Sequence, residues 1–418
     1  MFQAIGTAIQ TFMDAGAAVF LPVMMLIVAL IFRMKLSDAI RAGLYTGIGF
    51  IGLQLVINYM MQCISPATTY YQNFGSGFTV TDVPWPAVAG AMWGNPFAIP
   101  GVLLLIVINV VLIKLKVTKV LNIDIWNFGH FLIPGALVYV LWGSWVAGLL
   151  TSLVLGVLTL LVAEKVAPKW QEYFGLEGTT CSTLYYVIMC WGLGSAINWV
   201  LDKIPGVNKI NLNIKNVSQK LGIFSEPAII GLIVGALLAI ITKQDVMTVI
   251  TMSIGIAASM VLMPRMVTIF MEGMSAISNQ AQSWAAKKLG NEQDLIIGID
   301  VALGIGDSCA MTTTIICIPI AIGLAFIVPG CNFFPIGILT GICYVSAFAS
   351  MVSKGNLFRS VIITSLIFAW VIFACSYVAD TATLALRTFG ADLPGTVTGD
   401  VFSDWTEVLI TFIYNITH

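Results

Sequence analysis

Charge is what this chain of 418 residues has least of: Asp, Glu, Lys and Arg make up 9% of it, against about 25% in an ordinary soluble domain. The 19 basic and 20 acidic residues nearly cancel and form no basic cluster, which excludes a nucleic-acid surface. There are two histidines, His130 and the C-terminal His418. The eight cysteines have no CxxC or His-paired spacing, so they are read as small apolar residues and neither as metal ligands nor as a disulfide framework. No P-loop, HExxH helix or nucleophile elbow occurs, and the chain is expected to carry no catalytic centre, metal or cofactor of its own.

What is present is apolar length. Hydrophobic residues make up 59% of the chain, and apolar runs cover 15–32, 43–61, 101–115, 145–163, 229–242, 246–263, 310–328, 334–351 and 357–379. A bilayer crossing takes about 20 such residues. The fold class is therefore an all-α polytopic membrane protein with about ten or eleven crossings. The first run lacks a basic leader and is followed by Arg33 and Lys35, which marks a retained helix. With the N-terminus outside, all of the 19 basic residues except Lys243 and Arg387 fall on the cytoplasmic side, as topology rules require. The outside loops then include 65–85 and the acidic stretch 380–405.

The one long polar stretch, 202–220, separates a first half, 1–201, from a second, 221–418. Each half holds one apolar segment broken by Gly and Pro: "DVPWPAVAGAMWGNPFAIP" (82–100) and "DVALGIGDSCAMTTTIICIP" (300–319). Both start Asp-Val and end Ile-Pro, and they enter from opposite sides, the pattern of an inverted repeat with two re-entrant segments. Non-helical backbone is tolerated inside a membrane only where protein buries it or a wet cavity solvates it, so the breaks point to a transport site.

An ionisable group at mid-membrane costs roughly 2.5 to 3.5 kcal/mol on insertion scales, and each one needs a reason. The candidates are His130, Glu226, Glu272, Asp300 and Asp307, with Gln54, Asn58, Asn95 and Asn127 as neutral partners. Asp307, between Gly306 and Ser308, could hold a polyol hydroxyl or cap the helix that follows. Asp300 could do either as well. His130 can donate and accept at once, which suits a hydroxyl-rich ligand or a buried structural bond. Glu226 precedes Pro227 and reads as a helix start. Glu272 could be solvated or aimed inward. Thr179 and Thr180, in "GLEGTTCST", could line a polar site or a turn.

The blocks "FRMKLSDAIRAGLYTGIGFIGL", "IDIWNFGHFLIPGALV", "SEPAIIGLIVGALLAI", "LMPRMVTIFMEGMSAIS", "IIGIDVALGIG" and "KGNLFRSVI" resemble the galactitol-type enzyme IIC of the bacterial phosphoenolpyruvate-dependent phosphotransferase system, with the ascorbate-type enzyme IIC as a more distant relative. The resemblance implies a homodimeric permease of the bacterial inner membrane, with a scaffold part and an elevator-type moving core. Its partners would be enzyme IIA and enzyme IIB, whose phosphocysteine phosphorylates the incoming sugar or sugar alcohol. It also assigns substrate contacts to Gln54, His130 and Asp300. The chain departs from the family at Gly306-Asp307-Ser308, where Gly-His-Pro is common, and at Thr179-Thr180-Cys181-Ser182. The alternative is an ion-coupled secondary transporter in which Asp300 and Asp307 bind a proton or Na⁺. Asp300→Asn is expected to lower uptake about tenfold or more while leaving the amount of protein in the membrane little changed; full uptake by this variant in a transport assay would remove Asp300 from the site.

Overall fold

The computed structural model describes residues 17–72, 78–83, 88, 94–122, 124–212, 226–289, 295–335, 337–391, 393 and 395–418, of which 76% are helical. Among the described residues, three helices are long and apolar enough to cross a membrane: Trp145–Phe174, the 246–277 part of a longer helix, and Leu357–Thr388. Large apolar side chains face outward along the helices, among them Ile31, Leu55, Ile240 and Ile254. Such a surface suits lipid and not water.

Helices α1 (Ala17–Ile31) and α2 (Leu36–Gln72) open the first half, and α7 (Pro227–Ile241) and α8 (Val246–Leu289) open the second. These four pack chiefly on one another. The two pairs are built alike. Arg33 ends α1 and Lys243 ends α7, both in the left-handed region at φ 59° and 53°. In each turn the basic residue bonds back three residues and its successor five, closing the helix carbonyls. Gln280 of α8 donates to the Phe32 carbonyl, and Gln244 donates to the Pro66 carbonyl of α2.

Small residues set how closely these helices cross. A Cβ on Gly231 would sit 2.6 Å from the Ala257 Cα, and one on Gly235 2.7 Å from the Ser253 Cα. At the α2–α8 crossing, a Cβ on Gly49 would overlap the Phe270 backbone, and one on Gly273 would overlap Thr46 and the Ala42 carbonyl. Without a hydrophobic drive between helices in lipid, backbone approach of this kind supplies the attraction.

The rest of the chain forms a second body. In order it comprises β1 (Thr81–Asp82), α3 (Ala98–Lys114), β2 (Val120–Asn122), α4 (Ile125–Trp142), α5 (Trp145–Phe174), β3 (Thr179–Cys181), a π-helical turn (Tyr185–Cys190) and α6 (Trp191–Lys203). After α8 come β4 (Ile296–Ile299), a 3₁₀ turn (Val301–Gly304), α9 (Ser308–Leu324), a 3₁₀ turn (Gly337–Gly341), α10 (Ile342–Val352), α11 (Leu357–Thr388), β5 (Val397–Thr398), a last 3₁₀ turn (Asp400–Phe402) and α12 (Trp405–Thr417). Helix starts follow the expected chemistry, with Asp124, Ser144, Asp307 and Asn356 each accepting a backbone N–H of the turn they cap. Gly143 and Gly175, at φ 65° and 69°, end α4 and α5.

The strands add to the all-α reading. β4 lies between β2 and β3, parallel to both, with Asn122 opposite Gly298 and Cys181 opposite Ile299. β1 runs parallel to β5, and a single bridge joins Val80 to Phe333 on its other side. In one group the middle strand comes from the second half and its neighbours from the first; in the other the origins are reversed. The strand that leads into each broken segment thus finds backbone partners in the other half.

The first broken segment lies largely outside the described residues. The second reads as expected: Gly304 and Gly306 interrupt it, Asp300 caps the 3₁₀ turn and Asp307 caps α9. The stretch 380–405 is not the open loop expected. α11 carries on through Asp380 to Thr388, and β5 with the turn after it is mostly buried, since its polar groups pair inward: Thr398 donates to the Cys375 carbonyl. Likewise α2 continues past Ser65 to Gln72. The start of the polar linker docks on α11, where Asn356 donates to the Ile210 carbonyl and Arg359 pairs with Asp202; its remainder, 213–220, lies outside the described residues. Gly49→Val is expected to overpack the α2–α8 crossing and destabilise the protein by about 1–3 kcal/mol, visible as a lower thermal midpoint in detergent.

Candidate functional site

The π-helical turn and the three-stranded sheet meet around a buried polar network. The Asn122 Oδ1 accepts from Asn127 Nδ2 at 2.8 Å and from Ser182 Oγ at 3.0 Å. Thr183 Oγ1 donates to Asn127 Oδ1 at 2.7 Å and to Asp300 Oδ2 at 3.4 Å. The Asp300 N–H donates to Asp124 Oδ2 at 3.1 Å, and Asp300 Oδ1 accepts from the Ala302 N–H at 2.8 Å. Ser182 comes this close because Gly298 beside it has no Cβ to block it. Two carboxyl groups and a set of amides and hydroxyls therefore share one interior site, and none of these bonds comes from Lys or Arg. Such a concentration of polar groups in an apolar body is costly and marks a functional region.

A small cavity is lined by residues that follow the network residues closely in sequence. One helical turn beyond Asn127, His130 forms part of its wall, and just beyond Thr183 stand Tyr185 and Tyr186. Gly341, Phe368 and Asp400 help to complete it, around a space of about 20 Å³, room for about one water. His130 meets Tyr186 edge to face at 6.4 Å between ring centroids, and Tyr186 lies 5.8 Å from Tyr344. The Asp400 Oδ1 is buried with no hydrogen-bond partner. Its Oδ2 would lie 2.8 Å from a Cβ placed on Gly341, so the carboxyl occupies room that only glycine leaves.

Among the residues singled out from sequence, the structure places Asp300 and Asn127 in the network and His130 in the cavity wall. Thr179 and Thr180 are buried beside them, but their hydroxyls donate to the Leu176 and Ala163 carbonyls, and Trp170 Nε1 donates to Thr179 Oγ1. Asp307 is half-buried elsewhere: besides the Ala310 N–H it accepts from the Tyr173 hydroxyl at 3.0 Å. Asn95 is buried and accepts from the Phe97 N–H ahead of α3. Glu272 is exposed on α8. The Gln54 side chain lies outside the described residues.

Ser182 and Thr183 lie in the "GLEGTTCST" stretch read as a possible polar lining, whereas sequence reasoning missed Asp124, the tyrosine pair and Asp400. "NIDIWN" did carry a signal, a cap pattern opening an apolar helix, whereas Asp400 stood among other acids in a stretch read as an outside loop. Among the described residues, no group of three His, Cys, Asp or Glu side chains is arranged to hold a metal.

Long apolar helices, lipid-suited outer faces and a buried polar network define a helical membrane protein with a polar interior. Over residues 11–392 the chain matches the family described as the PTS system sugar-specific permease component, and it belongs to that family. It is 34% identical over 353 residues to the galactitol-specific EIIC component of the PTS system from Escherichia coli K12, covering 84% of this chain and 77% of that protein. Its similarity to the protein of the same description from Escherichia coli O157:H7 is equal. A putative permease IIC component from Escherichia coli K12 is 29% identical over 356 residues, 84% of this chain and 80% of that protein. Thr183→Val is expected to leave Asp300 Oδ2 and Asn127 Oδ1 without their shared donor and to weaken ligand binding by about tenfold, since a buried acceptor left unpaired costs about 1–3 kcal/mol; titration of the purified variant measures it.

Proposed function

We propose that this chain is the permease of a phosphotransferase system for galactitol or a closely similar sugar alcohol. Its halves 1–201 and 221–418 form an inverted repeat with re-entrant segments at 82–100 and 300–319, in a protein of about ten or eleven crossings. The exchange of strands between the halves supports this reading. The four helices α1, α2, α7 and α8 act as scaffold, and the body holding the network and cavity moves across the inner membrane, as elevator transport requires. The protein works as a homodimer with its N-terminus outside.

What supports the reading is the buried network that joins Asp300, Thr183 and Asn127, with the buried His130 one helical turn beyond Asn127. Carboxyl, amide, hydroxyl and imidazole groups alternate there as donors and acceptors, the set that a neutral polyhydroxylated ligand needs. Tyr186 and Phe368 supply the apolar faces for its C–H groups. On the cytoplasmic side enzyme IIB, itself recharged by enzyme IIA, hands over its phosphoryl group. The P–S bond of its phosphocysteine breaks as an O–P bond forms to the substrate, and the hydroxyl proton leaves to solvent. This chain binds, orients and carries the substrate; the transfer chemistry belongs to the partner.

The test is uptake of labelled galactitol into vesicles holding this chain and supplied with phosphorylated enzyme IIB. Label is expected to accumulate as the phosphate, and His130→Ala is expected to lower uptake about tenfold or more. Uptake of unmodified galactitol that needs only an ion gradient would overturn the reading in favour of a secondary transporter.

A further inference from the structure

The end of α6 and the start of the polar linker are clasped onto the first turn of α11. Asn356 uses both ends of its amide there: Oδ1 accepts the Arg359 N–H at 3.3 Å, and Nδ2 donates to the Ile210 carbonyl at 2.8 Å. The Leu357 N–H, which the helix itself cannot pair, donates to the Leu212 carbonyl at 2.9 Å. Arg359 is buried, and its Nη1 donates to Asn198 Oδ1 at 3.0 Å and to Asp202 Oδ1. The next residue faces the second broken segment. Ser360 Oγ is buried 2.8 Å from Ser353 Oγ, 3.3 Å from Ser350 Oγ and 3.6 Å from Cys309 Sγ. Cys309 stands in the first turn of α9, just after its cap Asp307, and is 3% exposed. One turn of α11 therefore holds the linker with one residue and the broken segment with the next.

We propose that the stretch 198–212 is a latch. Clasped on α11, it keeps the tip of the second re-entrant segment, Asp307 to Cys309, seated; when it lets go, the tip opens to water. The inference rests on the re-entrant and moving-body readings given above. A first helical turn that loses its cap frays, because its N–H groups turn to water instead. Fraying from Leu357 to Ser360 withdraws the Ser360 hydroxyl from Cys309, and the tip loses its partner on α11. The same linker runs on to α7, so displacement of one body against the other pulls first on the bonds of Asn356 and Arg359. Opening of the tip is thereby timed to the movement. The Asp202 side chain is half exposed, and an ion pair open to water holds weakly, as a bond that must break and re-form requires.

The experiment is alkylation of the purified full-length protein with N-ethylmaleimide, the rate at each cysteine being read by peptide mass spectrometry. Cys309 reports on the tip, and Cys375, fully buried further along α11, on the helix as a whole. Asp202→Ala is expected to raise the rate at Cys309 about threefold to tenfold and to leave Cys375 unchanged, and Asp202→Glu to keep the slow rate. An unchanged rate at Cys309 in Asp202→Ala overturns the inference. So does an equal rise at Cys375, the mark of general loosening, or a fast rate in Asp202→Glu. In the unaltered protein the rate at Cys309 is expected to rise with salt, which screens a half-exposed ion pair; a rate independent of salt overturns the inference without recourse to any variant. These outcomes leave the polyol reading to its own uptake test, since none of them depends on the solute carried.

Discussion

In the interior of a membrane, a backbone N–H or C=O has no water to fall back on. Two departures from helix among the described residues answer to that constraint. Where β4 leads into the broken segment of the second half, strands β2 and β3 of the first half take up its backbone groups. Where β1 opens the broken segment of the first half, β5 and Phe333 of the second half answer. The strands tie the halves together, and β2, β3 and β4 bring Asp124, Thr183 and Asp300 to one place.

Two kinds of helix packing result. At α2–α8, glycines let backbones touch, and the contact is made of dispersion between small groups. In the second body, packing rests on large buried side chains: Trp170 is fully buried, with its ring 4.7 Å from Phe174 and 6.0 Å from Phe348. Phe50 of α2 stacks at 6.1 Å on Trp126, which opens α4, so the two bodies meet next to the polar network.

Asp300 and Asp307 show how capping and function overlap. Both satisfy the first turn of the structure that follows them, as a carboxylate in their positions should. Asp300 also reaches Thr183 and receives no cation, whereas Asp307 reaches Tyr173. Their local sequence surroundings are nearly alike; their neighbours in space are not. A cap is thus no argument against a part in binding, because the second carboxylate oxygen remains available.

The apolar helices and two helix starts, Asp307 before α9 and Glu226 before α7, were legible in the sequence, because caps and apolar runs are properties of adjacent residues. The strands were not, since two to four residues carry no usable alternation. Nor was Asp400, which stood in a stretch that looked like a solvent loop. The Asp300 network joins residues 117 and 176 positions apart along the chain. Sequence alone determined that carboxylates and a histidine lie in apolar surroundings and so need partners. Only the tertiary structure decided which partners those are, because parallel strands bring together residues whose distance along the chain sets no limit on their distance in space.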